Sequence, residues 1–276
     1  MLFRSTAANL VVTGGLDIAR VDGTDQTRLN ADPNIGHVDG QSYAPNIIVI
    51  NQDPGRPGAE LAVRQAIITA IDPKAWDRVA NEGTGVLGEN IHATPNGFCY
   101  SALGSAMPTP SVDRAKQYLT AAGYTPGPDG KMQKAGKKLT IRLVTITTQN
   151  GGPEYLLTQL NAVGFDTQFI NSDAAAFTKA YTNADYDVVP GIHQAPYPVA
   201  GTAPTFLEGT FSPAGLNRAH NADPVLADLV TKALRVPLEQ ACAAWKDVNL
   251  RILETATALP LSAQIARNYF KKDVFS

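Results

Sequence analysis

Hydrophobic and polar positions along the chain follow two periods, that of helices and that of strands. Apolar residues recur at spacings of three and four between residues 63 and 71, which predicts an amphipathic helix. This helix should end at Asp72-Pro73, because the residue before a proline avoids helical dihedral angles. The unbroken apolar run Ile47–Ile50 is followed by turn-forming residues and is typical of a buried strand.

Five helices are predicted beyond the first strand. Each begins at a capping residue or a proline, or ends at a glycine or a proline. Four of them are predicted over 63–71, 111–123, 153–164 and 173–182, and the fifth begins at Asp223-Pro224. A longer helix should begin at Pro237 and end at Pro260, with Cys242 and Trp245 on one apolar stripe.

Strands are predicted between several of these helices, at Leu139–Ile146, Phe165–Ile170 and Tyr186–Val189. The succession of strand, helix, strand, helix and strand indicates a sheet with helical crossovers, hence an α/β lobe. The short apolar stretch Leu10–Val12 is also interpreted as a strand, because Gly14-Gly15 follows it as a turn.

Two long segments rich in glycine and proline, 81–110 and 190–213, interrupt this pattern. Loops of this length within a compact domain usually carry function or are mobile. We therefore look for binding residues in these two segments.

Composition excludes two broad classes of protein. The chain has 23 Lys+Arg against 25 Asp+Glu, a net charge of −2 and no basic block, which argues against a nucleic acid partner. Its longest apolar run, Ile47–Ile50, is much shorter than the roughly 20 residues of a membrane span. The charged fraction of 17% is low and is common among exported proteins.

The two cysteines are expected to stay unpaired. Cys99 lies in the 81–110 segment, whereas Cys242 falls on the apolar stripe of the last helix. An unpaired cysteine at such a position behaves as a small buried hydrophobic residue.

Motifs of catalysis and cofactor binding are missing from the sequence. It has no G-x-S-x-G elbow, no phosphate-binding G-x-x-x-x-G-K-[ST] loop and no dinucleotide-binding G-x-G-x-x-G turn. The four histidines are scattered, without the spacing of zinc ligands. We therefore predict no catalytic residue, metal or cofactor.

Several segments resemble, in order, the corresponding parts of one family. They read GLDIA at 15–19, VRQAIITAID at 63–72, DRAKQYLTAAGY at 113–124, ADYDVV at 184–189 and DPVLADLVTKAL at 223–234. Together they are similar to the extracytoplasmic solute-binding proteins of ABC importers, in the oligopeptide/dipeptide-binding class.

This resemblance implies one lobe of a two-lobe α/β clamshell, the type II periplasmic-binding-protein fold. Residues 1–45 would be a remnant of lobe I, residues 46–258 lobe II, and residues 259–276 a hinge strand returning toward lobe I. Members of the family are longer than this chain, so the resemblance also implies that an N-terminal portion is missing. Residues 1–15 lack the pattern of a signal peptide, which we expect in the missing portion.

The implied function is that of a binding protein, not an enzyme. It would capture a small solute, peptide-like or other, between two lobes and deliver it to ABC permease subunits in the membrane. The implied protein is a monomer in the periplasm or, as a lipoprotein, on the outer face of the cell membrane. Two other functions stay open: a ligand-sensing domain of a transcriptional regulator and, less favoured, an α/β hydrolase.

The resemblance also implies where the solute would bind. In the family, a ligand-facing stretch follows the "DYD" strand, often with a Trp and, in peptide binders, an Asp that pairs with the peptide amino terminus. His193 stands about where that Trp is expected, and Pro196 about where the Asp is. We therefore do not expect recognition of an ordinary peptide amine.

Five residues are candidates for ligand contact. His193, Gln194 and Tyr197 would offer a ring and hydrogen-bonding groups, and Phe98 and Tyr100 an opposite, stacking wall. The alternative is that these residues are exposed loop positions or plugs of the core. Two further polar residues that follow or lie in strands, Asn51 and Asp187, are expected to hold structure, not ligand.

Overall fold

A computed structural model describes residues 2–21, 25–40, 45–147, 151–193 and 207–274. The helices are α1 (Leu2–Thr13), α2 (Asp25–Ala31), α3 (Leu61–Ala70), α4 (Pro73–Ala80), α5 (Val112–Ala121), α6 (Gly152–Val163), α7 (Ala174–Thr182), α8 (Pro224–Arg235) and α9 (Leu238–Glu254). The strands are β1 (Ile18–Arg20), β2 (Ile35–Gly40), β3 (Asn46–Ile50), β4 (Val86–Leu87), β5 (Thr125–Pro126), β6 (Met132–Lys134), β7 (Lys137–Lys138), β8 (Thr140–Ile146), β9 (Asp166–Ser172), β10 (Val188–His193), β11 (Ala258–Pro260), β12 (Ser262–Ala263) and β13 (Ala266–Lys271).

The main sheet has five strands in the order β11-β3-β10-β8-β9. Strands β8, β9 and β10 are parallel, whereas β3 runs antiparallel to both of its neighbours. The C-terminal ends of β8, β9, β10 and β11 therefore meet the N-terminal end of β3 at one edge of the sheet. We name this the upper edge, and the opposite one the lower edge.

Strand β3 is buried on both faces, as its unbroken apolar run predicts. Ile48 and Ile50 pack in a core with residues of α3, α5 and α6. Ile47 and Val49 point to the other face and pack with residues of α8 and α9. All four are fully buried, and each such side chain contributes roughly 1.5–3 kcal/mol to stability. The sheet is thus sandwiched between two helical layers, which confirms the α/β fold class.

A second, smaller sheet of order β1-β13-β2 carries α1 and α2. It has a separate core to which Ala8, Val11, Leu29 and Tyr269 contribute. Two stretches of chain join this unit to the main sheet: residues 41–45, between β2 and β3, and residues 264–265, between β12 and β13. Both joining stretches leave the main sheet at its upper edge.

Local capping signals gave correct boundaries for several helices. The predicted end of the last helix at Pro260 is wrong, because α9 ends at Glu254, Ala256 has a left-handed φ of +52°, and Ala258–Pro260 form β11. Ser111 Oγ accepts from the backbone N–H of Arg114 at 3.1 Å, and Asp223 Oδ1 from that of Val225 at 3.0 Å. Helix α6 ends at Gly164, whose φ of +105° is left-handed and therefore favours glycine. Helix α4 was not predicted, although its start carries a signal: Asp72 caps it and Pro73 is its first residue.

The interpretation of Leu10–Val12 as a strand is wrong. These residues belong to α1, in which Ala8 and Val11 are fully buried three positions apart. Three apolar residues are too short a run to distinguish a strand from one turn of a helix.

The expectation of unpaired cysteines is also wrong. Cys99 and Cys242 form a disulfide with their Cα atoms 4.6 Å apart. Cys242 is exposed, not buried, because it lies at the border of the apolar stripe of α9 and faces a neighbouring loop. Helical periodicity alone did not separate this border position from the buried ones.

Among the described residues, no helix is long and apolar enough to cross a bilayer.

Candidate functional site

The upper edge of the main sheet brings together residues that are distant in sequence. His193, the last residue of β10, pairs with Asn46, the first residue of β3. Asn46 Nδ2 donates to the carbonyl of Ser262 at 3.0 Å, and its own carbonyl accepts from the N–H of Leu261 at 2.8 Å. The ends of β3, β10 and β11 are therefore tied together at this point.

The segment of residues 88–107 begins and ends near this edge, and we name it the rim segment. The N–H of Gly88 donates to the carbonyl of Leu261 at 2.6 Å. The N–H of Leu103 donates back to the carbonyl of Glu89 at 2.9 Å, and Asn90 Nδ2 donates to that of Ser101 at 2.9 Å. The rim segment is thus a loop closed at its base by hydrogen bonds.

Helix α9 holds the rim segment along one of its faces. Cys242, Trp245 and Asn249 are spaced by three and four residues and so lie on the same face. Cys242 forms the disulfide with Cys99, and the ring of Trp245 lies 5.6 Å from that of His92.

Asn249 supplies the third of these attachments. Its Oδ1 accepts from the N–H of Ile91 at 2.9 Å and lies 2.8 Å from His92 Nδ1. Because α9 ends at the lower edge, Cys242 lies about 10 Å farther toward the upper side than Asn249. The disulfide therefore fixes the outer part of the rim segment.

The imidazole of His92 is enclosed between the rim segment and α9. Burial lowers the pKa of His92 to about 4, against the smaller opposite effect of its hydrogen bond to Asn249. Since Asn249 Oδ1 can only accept, Nδ1 of the neutral ring carries the proton. His92 Nε2 has no hydrogen-bond partner among the described residues.

The structure places both candidate aromatic residues of the rim segment beside the disulfide. Phe98 is 41% exposed and is therefore not a plug of the core. The hydroxyl of Tyr100 donates to Glu89 Oε2 at 2.6 Å. Burial, followed by this contact with Glu89, raises the pKa of Tyr100 to about 12. Its hydroxyl is thus engaged within the segment, whereas the Phe98 ring is available to a neighbour.

The other three candidates fall at or beyond the limit of the described chain. The backbone of His193 ends β10, but its side chain lies outside the described part. Gln194 and Tyr197, like Pro196, are also outside the described residues. Their contact with a solute stays a prediction.

Asn51 has the structural role that was expected of it. Its Nδ2 donates to the carbonyls of Ala184 and Tyr186 at 2.8 and 3.1 Å, and its Oδ1 accepts from the N–H of Asp53 at 3.0 Å. It therefore holds the turn that follows β3.

Asp187 is also occupied by structural contacts. Its Oδ2 accepts from the N–H of Arg142 at 2.7 Å, and its Oδ1 pairs with Arg56 at 3.1 Å. Both Asp187 and Asn51 lie at the lower edge, away from the rim segment.

Two asparagines, one at the upper edge and one that binds the rim segment, were not predicted from the sequence. Asn46 Oδ1 is buried without a hydrogen-bond partner among the described residues. Asn249 is 1% exposed on the buried face of α9. A polar residue inside an otherwise apolar stripe was the signal for Asn249, because buried amides normally bind a specific partner.

A serine–histidine contact, which bears on the hydrolase hypothesis, occurs at the lower edge. Ser212 Oγ lies 2.9 Å from His220 Nε2, and His220 Nδ1 lies 2.8 Å from Asp53 Oδ1. The N–H of Ser212 donates to the carbonyl of Asn217, and Pro213 has no N–H. The backbone of Ser212 and Pro213 therefore offers no donor for an oxyanion.

No group of three or more His, Cys, Asp or Glu in the described part of the chain is arranged to hold a metal ion.

Solved structures with this fold are roughly twice as long as the chain. NikA from Brucella suis in complex with Fe(III)-EDTA superposes with a TM-score of 0.82 at 19% identity, over 99% of this chain and 56% of that one. DppA from Helicobacter pylori in complex with the peptide STSA gives 0.81 at 19% identity, over 97% and 51%. AppA from Bacillus subtilis in complex with a nonapeptide gives 0.77 at 18% identity, over 98% and 54%.

These identities establish likeness of fold, and the chain spans about half the length of the solved structures it matches. No curated protein matches the sequence. Residues 4–217, more than half of the chain, match the family described as "Bacterial extracellular solute-binding proteins, family 5 Middle". The chain belongs to the bacterial extracellular solute-binding proteins of family 5.

Proposed function

We propose that the chain is part of the solute-binding component of an ABC importer, and that its upper edge forms one wall of the solute site. One observation carries this proposal: both stretches that join the main sheet to the small sheet leave at the upper edge, where the rim segment and His193 also lie. In a clamshell fold, the solute binds between the two lobes, at the end of each lobe from which the hinge stretches leave.

The proposed division of the chain follows from this arrangement. Residues 46–258 form lobe II, whose two cores flank the main sheet. Residues 1–45 are a remnant of lobe I, and residues 259–276 return to it as β13, which pairs with β1 and β2. The separate core of the small sheet supports this division.

The proposed mechanism is closure without chemistry. A solute that contacts both lobes stabilises the closed form by its difference in affinity for the two forms. The closed monomer would then dock on the permease subunits. The three complexes named above contain an iron chelate, a short peptide and a nonapeptide, so the fold alone does not select one solute.

We infer that the solute is held by stacking and hydrogen bonding, not by an acid that pairs with a peptide amine. Phe98 is exposed on the rim segment, and Pro196 occupies the position where peptide binders of the family carry an Asp. Ring faces of this kind contribute about 0.5–1.5 kcal/mol beyond the area they bury.

Export of the protein is supported by the disulfide between Cys99 and Cys242. Disulfides persist in oxidising compartments and are rare in the cytosol. We propose the periplasm or the outer face of the cell membrane as the place of function.

Calorimetry tests the proposal in two steps. The chain by itself is expected to bind its solute weakly or not at all, because one wall of the site is missing; micromolar affinity of this chain for its solute would contradict the need for two lobes. In a longer protein with both lobes, His193→Ala should weaken binding of the cognate solute. Unchanged affinity would remove His193 from the site.

A further inference from the structure

A cavity lies at the lower edge of the main sheet, at the end away from the rim segment. It has a volume of about 380 Å³, and we name it the lower cavity. The residues that matter for its chemistry are Pro54, Arg64, Phe211, Asn221, Asp223 and Arg251. They come from the turn after β3, from α3, from the segment before α8 and from α9, so the cavity is built by four separate parts of the chain.

Arg64 is a buried cation without a carboxylate of its own. Its side chain is 8% exposed. Nε donates to the carbonyl of Thr255 at 2.8 Å, and Nη1 to those of Gly58 and Ala59 at 2.8 and 3.1 Å. Nη2 has no acceptor, and no carboxylate pairs with Arg64, within the described part of the chain.

A buried charge is costly unless an opposite charge or hydrogen bonds compensate it. Burial indeed lowers the pKa of Arg64, against a smaller opposite effect of Asp223. Three carbonyls compensate part of the guanidinium, and the remaining donor is left at the cavity wall.

The carboxylate that lines the cavity is already engaged. Asp223 accepts from Nε and Nη2 of Arg251 at 2.6 and 3.2 Å, and also caps α8 through the N–H of Val225. Arg251 also donates to Glu254 Oε2 at 2.8 Å, so its guanidinium is compensated by two carboxylates. Asp53 lies nearby, with its Oδ1 2.8 Å from His220 Nδ1. Arg64 is therefore the guanidinium of the lining with which no carboxylate of the described residues pairs.

Asn221 supplies a second donor without an acceptor. It is 6% exposed, and its Nδ2 has no hydrogen-bond partner among the described residues. Its Oδ1 accepts from the N–H of Asp223 at 3.1 Å, which fixes the orientation of the amide. Buried side-chain donors are normally paired, so this one indicates an acceptor that the protein itself does not provide.

Part of the remaining wall is apolar, beside the polar side chains of Gln52, His220 and Thr255. Phe211 stacks on the ring of His220, with centroids 5.0 Å apart and planes 9° from parallel, and Pro54 also lines the space. A ligand of the lower cavity therefore needs an anionic end and an apolar body.

We propose that the lower cavity binds a small carboxylate with an apolar body, whose oxygens accept from Arg64 Nη2 and Asn221 Nδ2 and whose body packs on Phe211. This site is separate from the upper edge and does not depend on the proposed transport function. Ligands of this kind are often oriented by a few placed donors in a mainly apolar pocket.

The test titrates the whole chain with benzoate and with acetate, followed by ¹H–¹⁵N spectra of side-chain amide and arginine groups. Saturable shifts at Asn221 and Arg64 are expected, with benzoate binding more tightly than acetate because only benzoate packs on Phe211. Absence of saturable shifts, or equal affinities for the two acids, would overturn the proposal.

Asn221→Asp is the decisive variant. It keeps the Oδ1 that accepts from the N–H of Asp223 and loses no hydrogen bond, since Nδ2 donates none. The new carboxylate is buried beside Asp223 and costs stability except where Arg64 compensates it, so thermal unfolding is recorded with the titration to show that the variant is folded. It places a negative charge where the carboxylate would bind, and benzoate should bind at least about tenfold more weakly.

Asn171→Asp is the matched control, because it makes the same charge change at an exposed position of β9. Its affinity for benzoate should stay within about twofold of the wild type, as expected of a distant, screened charge. Equal affinities of the Asn221→Asp variant and the wild type would contradict the site.

Discussion

At the scale of single residues, His92 shows how packing decides the charge of a side chain. Its pKa is lowered to about 4 from 6.5 because the ring is enclosed against α9. Between these two values, the unfolded chain binds a proton that the folded chain does not. Stability therefore falls as the pH is lowered through this window, and is unaffected by His92 above it.

His92→Gln should remove this part of the pH dependence. Between pH 7.5 and 4.5, the free energy of unfolding of the wild type should fall on the order of 2 kcal/mol more than that of the variant. Urea denaturation at both pH values measures the difference. Carboxylates with lowered pKa, such as Asp39 and Asp185, affect both proteins equally and cancel. An equal fall of the unfolding free energy with pH in the two proteins would mean that His92 is not held neutral.

At the scale of elements, the contact between α9 and the rim segment combines a covalent bond with a buried amide. The disulfide closes a loop of 143 residues, and Asn249 fixes Ile91 and His92 two turns farther along the helix. The rim segment has little regular structure of its own, so its conformation depends on these attachments to α9.

Cys242→Ser should loosen the rim segment without unfolding the lobe. Because Cys242 is exposed, the change opens no cavity in the core. We expect faster hydrogen exchange in residues 95–107 and a loss of about 2–5 kcal/mol in unfolding free energy. Exchange in β8 and α6 serves as an internal control and should change only with global stability. Unchanged exchange in the rim segment would show that hydrogen bonds alone hold it.

Asn249→Leu should destabilise the same contact by a different route. It leaves the N–H of Ile91 and Nδ1 of His92 buried without an acceptor, which costs about 1–3 kcal/mol for each group. Asn249→Asp keeps the acceptor oxygen and should be less destabilising, with a His92 pKa raised toward its usual value by the new charge. Thermal unfolding and histidine NMR titration distinguish the two variants. Equal losses of stability in Asn249→Leu and Asn249→Asp would argue against a role for Oδ1.

At the scale of the whole molecule, two potential binding regions lie at opposite edges of one sheet. Phe98 at the upper edge and Phe211 at the lower edge are similarly exposed, at 41% and 39%. They therefore form a matched pair of positions that separates the two proposals.

In a protein with both lobes, Phe98→Ala should weaken binding of the transported solute about tenfold, as loss of an aromatic contact does. Phe211→Ala should leave that affinity unchanged and instead weaken benzoate binding at the lower cavity. Calorimetry with the transported solute and with benzoate measures both effects. If Phe211→Ala weakened binding of the transported solute and Phe98→Ala weakened binding of benzoate, the solute site would lie at the lower edge and the benzoate site at the upper edge.

Much of the fold was predictable because its determinants are local. The caps at Ser111 and Asp223, the glycine at Gly164 and the apolar run of β3 specify their elements within a few residues. Where the local signal was short, as at Leu10–Val12, the interpretation was wrong, because burial against Leu29 and Tyr269 was not visible in the sequence.

The site was predictable only in part, for the same reason. The sequence by itself determined most helices and strands around the main sheet, the α/β class and the family resemblance, since these depend on periodicity, capping and order along the chain. Only the tertiary structure decided that Cys99 meets Cys242, that Asn249 fixes the rim segment, and that Arg64 and Asn221 share a cavity. These contacts join residues separated by more than 140 positions in all three cases, and such proximity is set by how the elements pack, which no local pattern encodes.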